Sequence, residues 1–453
     1  MNRRFCIVAL LMAVTACEAQ PRLMCTTVVP DSTFSGMNPD SELMLGNDGL
    51  LYGAAPSGGT LGKGSIFKTT VDGNITFVPF DGTNGRVPYV APIQATDGNF
   101  YGVACYGGSA DAGTVYRLAS NGILNAIYSF DMTNGSVPAT VTMGMDGNLY
   151  GVTGSGGVGF DGTDYSGDGI AFRLTTNGIF TRLASFTETY DFPNNIVEAN
   201  DGNFYGTTQQ GGPYGYGTVF RMTPDGQLST LVTFDGTNGA YAEPIILGSD
   251  GAIYGCTSGI DFLNANDGSG KVFRVTTNGD LTILHTFSYS DGAEPRCRLL
   301  EVTNGLFYGT TYFSGQSPGT VFQISTNGDF ATLLRFDSTW GKGALPRVGL
   351  TKGADGNFYG LSSQPVRDLY CLRPVEAPIL QTSVQDNQIT FDWKTWGRLP
   401  VSLYYKTNLN DATWNYLDGI NSATNTVISH AEPIDPTTPR FFTLQMNIRE
   451  NWW

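Results

Sequence analysis

Asp97-Gly98-Asn99-Phe100-Tyr101-Gly102 decides the fold, because variants of this hexapeptide recur along the chain. Seven copies share Asp or Asn, then Gly, two variable residues, Tyr and Gly. Their tyrosines are Tyr52, Tyr101, Tyr150, Tyr205, Tyr254, Tyr308 and Tyr359. Consecutive tyrosines are separated by about 50 residues, a period that is typical of propeller blades and solenoid repeats. The chain is therefore a tandem-repeat protein.

Each copy carries the signals of four short strands joined by tight turns. A short apolar run such as Ile245-Ile246-Leu247 precedes the hexapeptide, and a segment such as Gly217-Thr218-Val219-Phe220-Arg221 follows it. An Asn-Gly or Asp-Gly pair, such as Asp225-Gly226, then marks a two-residue hairpin turn. The last strand ends in Phe, as at Phe234. Four antiparallel strands per copy are the composition of a propeller blade, whereas an open solenoid requires capping units.

We therefore predict an all-β fold with a seven-bladed β-propeller over residues 23–374. The seventh copy lacks the strand that ends in Phe, and residues 23–29 have the outline of that missing strand. The N-terminal strand is expected to close the last blade. Cys25 and Cys371 would then lie on neighbouring strands, one residue out of direct register, where a disulfide between them is a hypothesis.

At this point the sequence resembles a known family. The pieces Asp-Gly-Asn-Phe-Tyr-Gly, Gly-Thr-Val-Phe-Arg and Phe-Asp-Gly-Thr-Asn-Gly are similar to the tandem repeat of Gloeobacter and Verrucomicrobia proteins, the GloVer repeat. The resemblance covers about residues 23–374. It implies an exported, surface-associated bacterial protein. It implies no established activity and no catalytic residues.

The N-terminus has the pattern of an export signal. Arg3 and Arg4 precede an apolar run of ten residues, which is too short to span a bilayer. Residues 1–17 then end in Val14-Thr15-Ala16-Cys17, which allows two interpretations. Cleavage after Ala16 by an ordinary signal peptidase is one. The other, which we favour, is a lipobox in which Cys17 is lipidated and becomes the mature N-terminus.

The repeat stops after Pro374, and residues 376–446 are predicted to form a separate small β-module. Alternating apolar and polar residues, as in Gln388-Ile389-Thr390-Phe391-Asp392-Trp393, indicate half-buried strands. About six strands in this length suggest an immunoglobulin-like or fibronectin-like β-sandwich. Residues 447–453 are a short tail.

Composition excludes some classes of function. The 453-residue chain has 59 Gly, 12% aromatic and only 14% charged residues, with a formal net charge of −15. Such a surface repels phosphate backbones, so we expect no nucleic-acid partner. We expect the membrane to be contacted only through a lipid at the N-terminus, and the chain to act as a monomer.

Two long loops are the predicted ligand-binding positions, because function concentrates in variable loops on a rigid scaffold. The third copy inserts residues 159–169 and the fifth inserts residues 261–268. The candidate ligand-binding residues are Asp161, Asp164, Tyr165, Asp168, Asp261, Asn264, Asn266 and Asp267. Asp161, Asp164 and Asp168 could hold Ca²⁺, which prefers oxygen ligands. A solvated, turn-rich loop is the alternative, since their spacing is not that of an Asp-x-Asp-x-Asp-Gly loop. No other cofactor is expected.

The residues needed for catalysis are scarce. His285 and His430 are the two histidines of the chain, which argues against a histidine-ligated metal or a histidine-based triad. His285 is expected at the surface of an outer strand. The repeated tyrosines are expected to pack between blades, and no catalytic residue is assigned.

The resulting expectation is an exported protein, either secreted or on the outer membrane or cell surface. It would bind a glycan or a protein, or act as a scaffold. A carboxylate-dependent polysaccharide hydrolase or lyase is one alternative. A purely structural envelope protein is the other.

Overall fold

The computed structural model describes residues 22–34, 37–39, 41–163, 166–187, 192–259, 270–314, 317–336, 345–346, 348–363, 367–375, 380–385, 388–394, 401–406, 413, 415–420, 427–433 and 441–446. These residues form strands, with no α-helix among them and a single 3₁₀ turn at Asp31–Phe34. Over the same ranges no helix is long and apolar enough to cross a membrane. The chain divides into two compact units, one of which is Leu23–Arg373 and the other of which contains Pro374–Trp453.

The first unit is a seven-bladed propeller in which each blade is an antiparallel sheet of successive strands. The N-terminal strand is β1 (Arg22–Val29). Blade 1 contains β2 (Met44–Leu45), β3 (Leu51–Ala55), β4 (Ser65–Thr69) and β5 (Ile75–Pro79). Blade 2 contains β6 (Ile93–Gln94), β7 (Phe100–Ala104), β8 (Thr114–Leu118) and β9 (Leu124–Ser129). Blade 3 contains β10 (Ser136–Met143), β11 (Leu149–Ser155), β12 (Ile170–Leu174) and β13 (Phe180–Ser185).

The remaining blades repeat this order. Blade 4 contains β14 (Pro193–Glu198), β15 (Phe204–Thr208), β16 (Thr218–Met222) and β17 (Leu228–Thr233). Blade 5 contains β18 (Ile246–Leu247), β19 (Ile253–Thr257), β20 (Lys271–Val275) and β21 (Leu281–Thr286). Blade 6 contains β22 (Leu300–Thr303), β23 (Leu306–Ser314), β24 (Ser317–Ser325) and β25 (Phe330–Arg335). Blade 7 contains β26 (Leu345–Pro346), β27 (Thr351–Lys352), β28 (Phe358–Ser363) and β29 (Leu369–Val375).

The N-terminal strand closes the ring as predicted. Strand β1 pairs with β29 and supplies the outer strand of blade 7. Polar contacts reinforce this closure, because Asp368 accepts hydrogen bonds from the backbone N–H of Asp31 (2.8 Å) and from the Thr27 hydroxyl (3.1 Å). Both ends of the propeller sequence are therefore held in one blade.

The predicted disulfide between Cys25 and Cys371 is not formed, and both are free thiols. Cys25 packs with Tyr370 and Leu372 in the apolar cluster on one face of blade 7. Cys371 packs with Leu369 in the cluster on the other face. The one-residue offset between the strands therefore points the two sulfur atoms to opposite sides of the sheet.

The Asp and Tyr of the repeated hexapeptide are joined by a side-chain hydrogen bond. In blade 4 one oxygen of Asp201 accepts the backbone N–H of Asn203 (3.0 Å), which closes the turn, and the other accepts the Tyr205 hydroxyl (2.8 Å). The same tyrosine-to-aspartate bond, of 2.7 to 2.9 Å, occurs in six blades, at Tyr52, Tyr101, Tyr150, Tyr205, Tyr254 and Tyr359. The motif thus fixes the turn to the strand that follows it.

The repeated tyrosines also hold neighbouring blades together, which confirms the predicted packing role. The ring of Tyr52 stacks on Phe100 of the next blade at 4.2 Å, and Tyr150 stacks on Phe204 at the same distance. Lack of space for a side chain explains why a glycine follows each of these tyrosines. A Cβ on Gly206 would lie 2.3 Å from the Phe220 ring, which crosses the strand at the paired position. The apolar core of the propeller therefore lies between blades.

In the second unit, the described residues form six strands in two antiparallel three-stranded sheets. These strands are β30 (Leu380–Gln385), β31 (Gln388–Lys394), β32 (Val401–Lys406), β33 (Asn415–Ile420), β34 (Val427–Pro433) and β35 (Phe441–Met446). One sheet has the order β30-β31-β34 and the other the order β33-β32-β35.

Candidate functional site

A cavity of about 330 Å³ lies where the first strands of all seven blades converge. Each blade contributes lining residues from the segment that enters its first strand. One lining residue from each blade in turn is Glu42, Tyr89, Thr140, Asn195, Glu243, Arg298 and Val348. These segments follow the inter-blade loops, so the cavity opens on the face that carries those loops and the loops between second and third strands. We call this cavity the channel pocket.

Glu42 of blade 1 is the first charged residue of the channel pocket. Its Oε1 accepts a hydrogen bond of 2.9 Å from the backbone N–H of Arg298 in blade 6, and the backbone of Gly349 in blade 7 also donates to it. Burial raises the pKa of this carboxyl, while the positive charge of Arg298 and the two backbone bonds oppose that rise. Glu42 therefore joins three blades at the centre of the ring.

Glu243 of blade 5 is the second carboxyl. Burial raises its pKa to about 7, although Arg296 and a hydrogen bond from Ser258 act in the opposite direction. The negative charges of Glu42 and Glu294 raise the pKa further. A carboxyl with this pKa exchanges its proton near neutral pH, which ordinary glutamates do not.

Two arginines of blade 6 complete the charged set. The Nη2 atom of Arg296 lies 2.9 Å from Oε2 of Glu294, and the Arg296 guanidinium lies over the Tyr312 ring at 5.4 Å. Arg298, two residues further on, also lines the pocket and is exposed. The pocket therefore contains carboxylates and guanidiniums from three different blades.

Backbone strain is concentrated where the chain enters this region. Val87, Val137, Phe192, Tyr241 and Glu294, from five successive blades, have φ between 43° and 60°. Side chains with a Cβ rarely adopt this left-handed conformation. Such strain is frequent at binding and catalytic sites, where the surrounding structure enforces it.

Exposed aromatic side chains occur in the pocket lining and in the loops of the same face of the propeller. Tyr89 lines it and is 50% exposed, while Phe192 of an inter-blade loop is 39% exposed. Tyr214, in the loop between the second and third strands of blade 4, is 62% exposed. The Arg86 guanidinium lies over the Tyr106 ring at 4.6 Å. An exposed aromatic ring such as that of Tyr89, in a lining with polar side chains, is suited to ligands that have both apolar and polar faces.

Most of the predicted ligand-binding residues lie outside the described residues, namely Asp164, Tyr165, Asp261, Asn264, Asn266 and Asp267. Asp161 is described and exposed, and its Oδ1 accepts bonds from the backbone N–H (2.9 Å) and hydroxyl of Thr163 (2.5 Å). These bonds lower the pKa of Asp161 to about 2. Burial raises the pKa of Asp168, which is half-buried. Neither residue lines the channel pocket. Among the described residues, no group of three or more His, Cys, Asp or Glu is placed to hold a metal.

The His285 side chain is less exposed than expected for a surface residue. It lies on β21, stacks on Phe330 of blade 6 at 3.7 Å, and its Nε2 is 3.1 Å from Asp291. Burial lowers its pKa, and the Asp291 carboxylate acts against that change. The histidine therefore packs between blades 5 and 6.

The channel pocket was missed from the sequence because each of its charges occurs in one copy only. A comparison of the copies position by position does contain a signal. The residue ten before the repeated tyrosine is Glu42, Ala91, Thr140, Asn195, Pro244, Arg298 or Gly349. Opposite charges at this one position, in blades 1 and 6, mark a departure from the repeat at the channel.

The fold and the pocket define a class of protein, a seven-bladed β-propeller with a charged cavity at one mouth of its central channel. Within that class the chain belongs to the Gloeobacter/Verrucomicrobia repeat family, which matches residues 23–165 and 160–368. No sequence among the curated proteins matches the chain.

Several solved structures are similar to the chain at low sequence identity. A puromycin hydrolase is 11% identical with a TM-score of 0.39, and the match covers 80% of this chain but 59% of the hydrolase. A glucose dehydrogenase is 12% identical with a TM-score of 0.38, covering 78% of this chain and 99% of the other. A protein of unknown function from Dyadobacter fermentans DSM 18053 is 10% identical with a TM-score of 0.43, and the match covers 79% of this chain and 100% of that protein.

Proposed function

We propose that the chain is an exported propeller that binds a glycan at the mouth of its central channel. The observation that carries this proposal is the channel pocket itself, a charged cavity of about 330 Å³ whose lining includes the exposed ring of Tyr89. This volume lies near the lower end of the range of small-molecule sites, about 300–1,000 Å³. A terminal sugar residue offers hydroxyls to the polar lining and a C–H face to the Tyr89 ring.

A glycan array followed by calorimetry with the purified protein tests this function. Tyr89→Ala and Thr140→Ala should each weaken binding, Tyr89→Ala at least tenfold, because both residues line the pocket. Asp161→Asn serves as the matched control on the long loop of blade 3 and should bind as the wild type does. Binding that is lost in Asp161→Asn but kept in the pocket variants would place the site on the loop. Capture of a protein instead of a glycan would contradict the proposal.

A carboxylate-dependent glycan hydrolase is a second candidate, favoured by one specific observation. The pKa of Glu243 is raised to about 7 and the Glu42 carboxylate contributes to that rise. A protonated carboxyl and an ionised one are the pair that glycosidases use as acid and base or nucleophile. Release of new reducing ends that stops in Glu243→Gln, but continues in Asp161→Asn, would support hydrolysis; binding without any release excludes it.

The second unit is proposed to be a β-sandwich that acts as a spacer or an additional binding module. Its first, second and fifth strands pair in one sheet, and its third, fourth and sixth in the other. This pairing resembles that of immunoglobulin-like and fibronectin-like sandwiches. Lipidation at Cys17 would place the propeller at a membrane surface. Metabolic labelling with a radioactive fatty acid, compared between the wild type and Cys17→Ala, tests that anchor.

A further inference from the structure

The charged groups of the channel pocket differ in how many of their hydrogen-bonding atoms already have a partner within the protein. Glu42 accepts a backbone hydrogen bond from Arg298 and another from Gly349, so its carboxylate is committed to the main chain. The Arg296 guanidinium is committed to Glu294, at 2.9 Å, and to the face of Tyr312. These groups hold the pocket together and leave little capacity for a ligand.

Arg298 is the exception. Its side chain lines the pocket and is exposed, and within the described part of the chain its guanidinium makes no hydrogen bond and no ion pair. Its main chain is nevertheless fixed, because its N–H is bound by Glu42 and its neighbours Cys297 and Leu299 are buried. A guanidinium on a fixed backbone, with its donors open to a cavity, is pre-organised for an anion.

We propose that the glycan bound in the channel pocket carries a carboxylate, as a uronic acid does, and that Arg298 binds this group. The inference rests on the proposed glycan-binding function. The planar guanidinium matches a carboxylate through two parallel N–H···O bonds. A monoanion fits better than a dianionic phosphate or a sulfate-rich chain, since the pocket is also lined by Glu42 and Glu243.

The pH dependence follows from the groups that face Arg298 across the pocket. Those in the pocket lining are Glu42 of blade 1, Glu243 of blade 5 and Arg296 of blade 6. Glu294, which is paired with Arg296, lies outside the lining, and its charge also acts on Glu243. Burial raises the pKa of Glu243 to about 7, so this carboxyl is neutral in mildly acidic solution and ionised above neutral pH. An ionised Glu243 repels a ligand carboxylate, so affinity should fall as pH rises from 6 to 8.

Calorimetry with oligogalacturonate, its methyl ester, an uncharged oligosaccharide and a sulfated one tests the inference on the full chain. The acid form should bind at least tenfold more tightly than its methyl ester, as expected when a hydrogen-bonded charge is removed. Arg298→Gln should abolish that preference. Arg182→Gln, an exposed arginine on the outer strand β13, is the matched control and should keep it.

Each outcome has a distinct meaning. Equal affinity for the acid and the ester, or equal effects of Arg298→Gln and Arg182→Gln, would overturn the carboxylate inference while leaving glycan binding intact. Preference for the sulfated ligand would overturn it in favour of another anion. Absence of binding to every saccharide, with both variants folded by circular dichroism, would overturn the proposed function and this inference with it.

Discussion

Glu42 of blade 1 accepts a hydrogen bond of 2.9 Å from the backbone N–H of Arg298 in blade 6, across the intervening blade 7. The contact requires a residue without a side chain at position 349. A Cβ on Gly349 would lie 2.8 Å from the Glu42 Oε1 and 2.5 Å from the Arg298 carbonyl oxygen. The chain ends of the propeller meet in blade 7. One carboxylate therefore ties together the blades on either side of the closure.

Removing this carboxylate should destabilise the propeller. Glu42→Ala leaves the backbone donors of Arg298 and Gly349 without their acceptor, and should cost about 1 kcal/mol because the pocket admits water to the Arg298 donor. Glu42→Gln retains an acceptor oxygen and should cost less. Denaturant unfolding of the two variants and the wild type measures the difference. Equal stability of Glu42→Ala and the wild type would show that the contact is not maintained.

Gly349→Ala should destabilise the chain by a separate mechanism. Its Cβ would overlap a main-chain carbonyl oxygen that cannot move aside as a flexible side chain can. Overpacking of this kind costs about 1–3 kcal/mol. Gly98→Ala is unsuitable as a control because Gly98 has φ of 81°. Ala91→Gly, at the equivalent channel position of blade 2, is the better comparison and should have the smaller effect in thermal unfolding.

The tyrosine-to-aspartate bond of the repeat can be tested with a control that the chain itself contains. Tyr205→Phe removes a hydroxyl that donates to Asp201 at 2.8 Å, and should cost about 1 kcal/mol. In blade 6 Asn304 replaces the aspartate, and the described contacts of Tyr308 include no such bond. Tyr308→Phe should therefore be nearly neutral. Similar losses in the two variants would contradict the role of the aspartate.

Free thiols at Cys25 and Cys371 give a fourth expectation. Both sulfur atoms are buried, and burial raises the pKa of each thiol. Neither should react with iodoacetamide in the native protein, since the thiolate is the nucleophile. After denaturation without reductant both should be alkylated, which peptide mass spectrometry detects. A peptide pair linked through Cys25 and Cys371 would contradict the placement of the two side chains on opposite faces of blade 7.

The repeat predicts the propeller well because blade structure is local. The Asp-Gly turn, the buried tyrosine and the glycine under a ring are repeated in register, so one copy explains the others. Ring closure by β1 was also predictable, because the seventh copy lacks a strand that the N-terminus can supply. These features depend on residues close together in the sequence.

The channel pocket could not be predicted in the same way. Glu42 and Arg298 are distant in the sequence and meet because the ring closes, and neither belongs to the repeated motif. Long insertions drew attention to Asp161 and Asp168 instead, but neither lines the pocket and Asp161 is bound by its own loop. Charges that depart from the repeat at channel positions are therefore a better guide than loop length.

Glu243 makes the stability of the propeller depend on pH. Its pKa in the folded protein is raised to about 7 from an ordinary value of 4.5. Between these values the folded state keeps a proton that the unfolded chain releases, so stability falls as pH rises through this window and stays low above it. Glu243→Gln is neutral at every pH, and its stability relative to the wild type should therefore increase from pH 5 to pH 8.

Thermal unfolding of the wild type, Glu243→Gln and Asp161→Asn at half-unit intervals from pH 5 to pH 8 measures this dependence. Asp161→Asn is the control, because hydrogen bonds within its loop hold the pKa of Asp161 near 2, outside the window. The Asp161→Asn curve should run parallel to the wild-type curve, whereas the Glu243→Gln curve should diverge from it. Parallel curves for all three proteins would mean that Glu243 is already ionised at pH 5, and that the channel pocket does not exclude water from it.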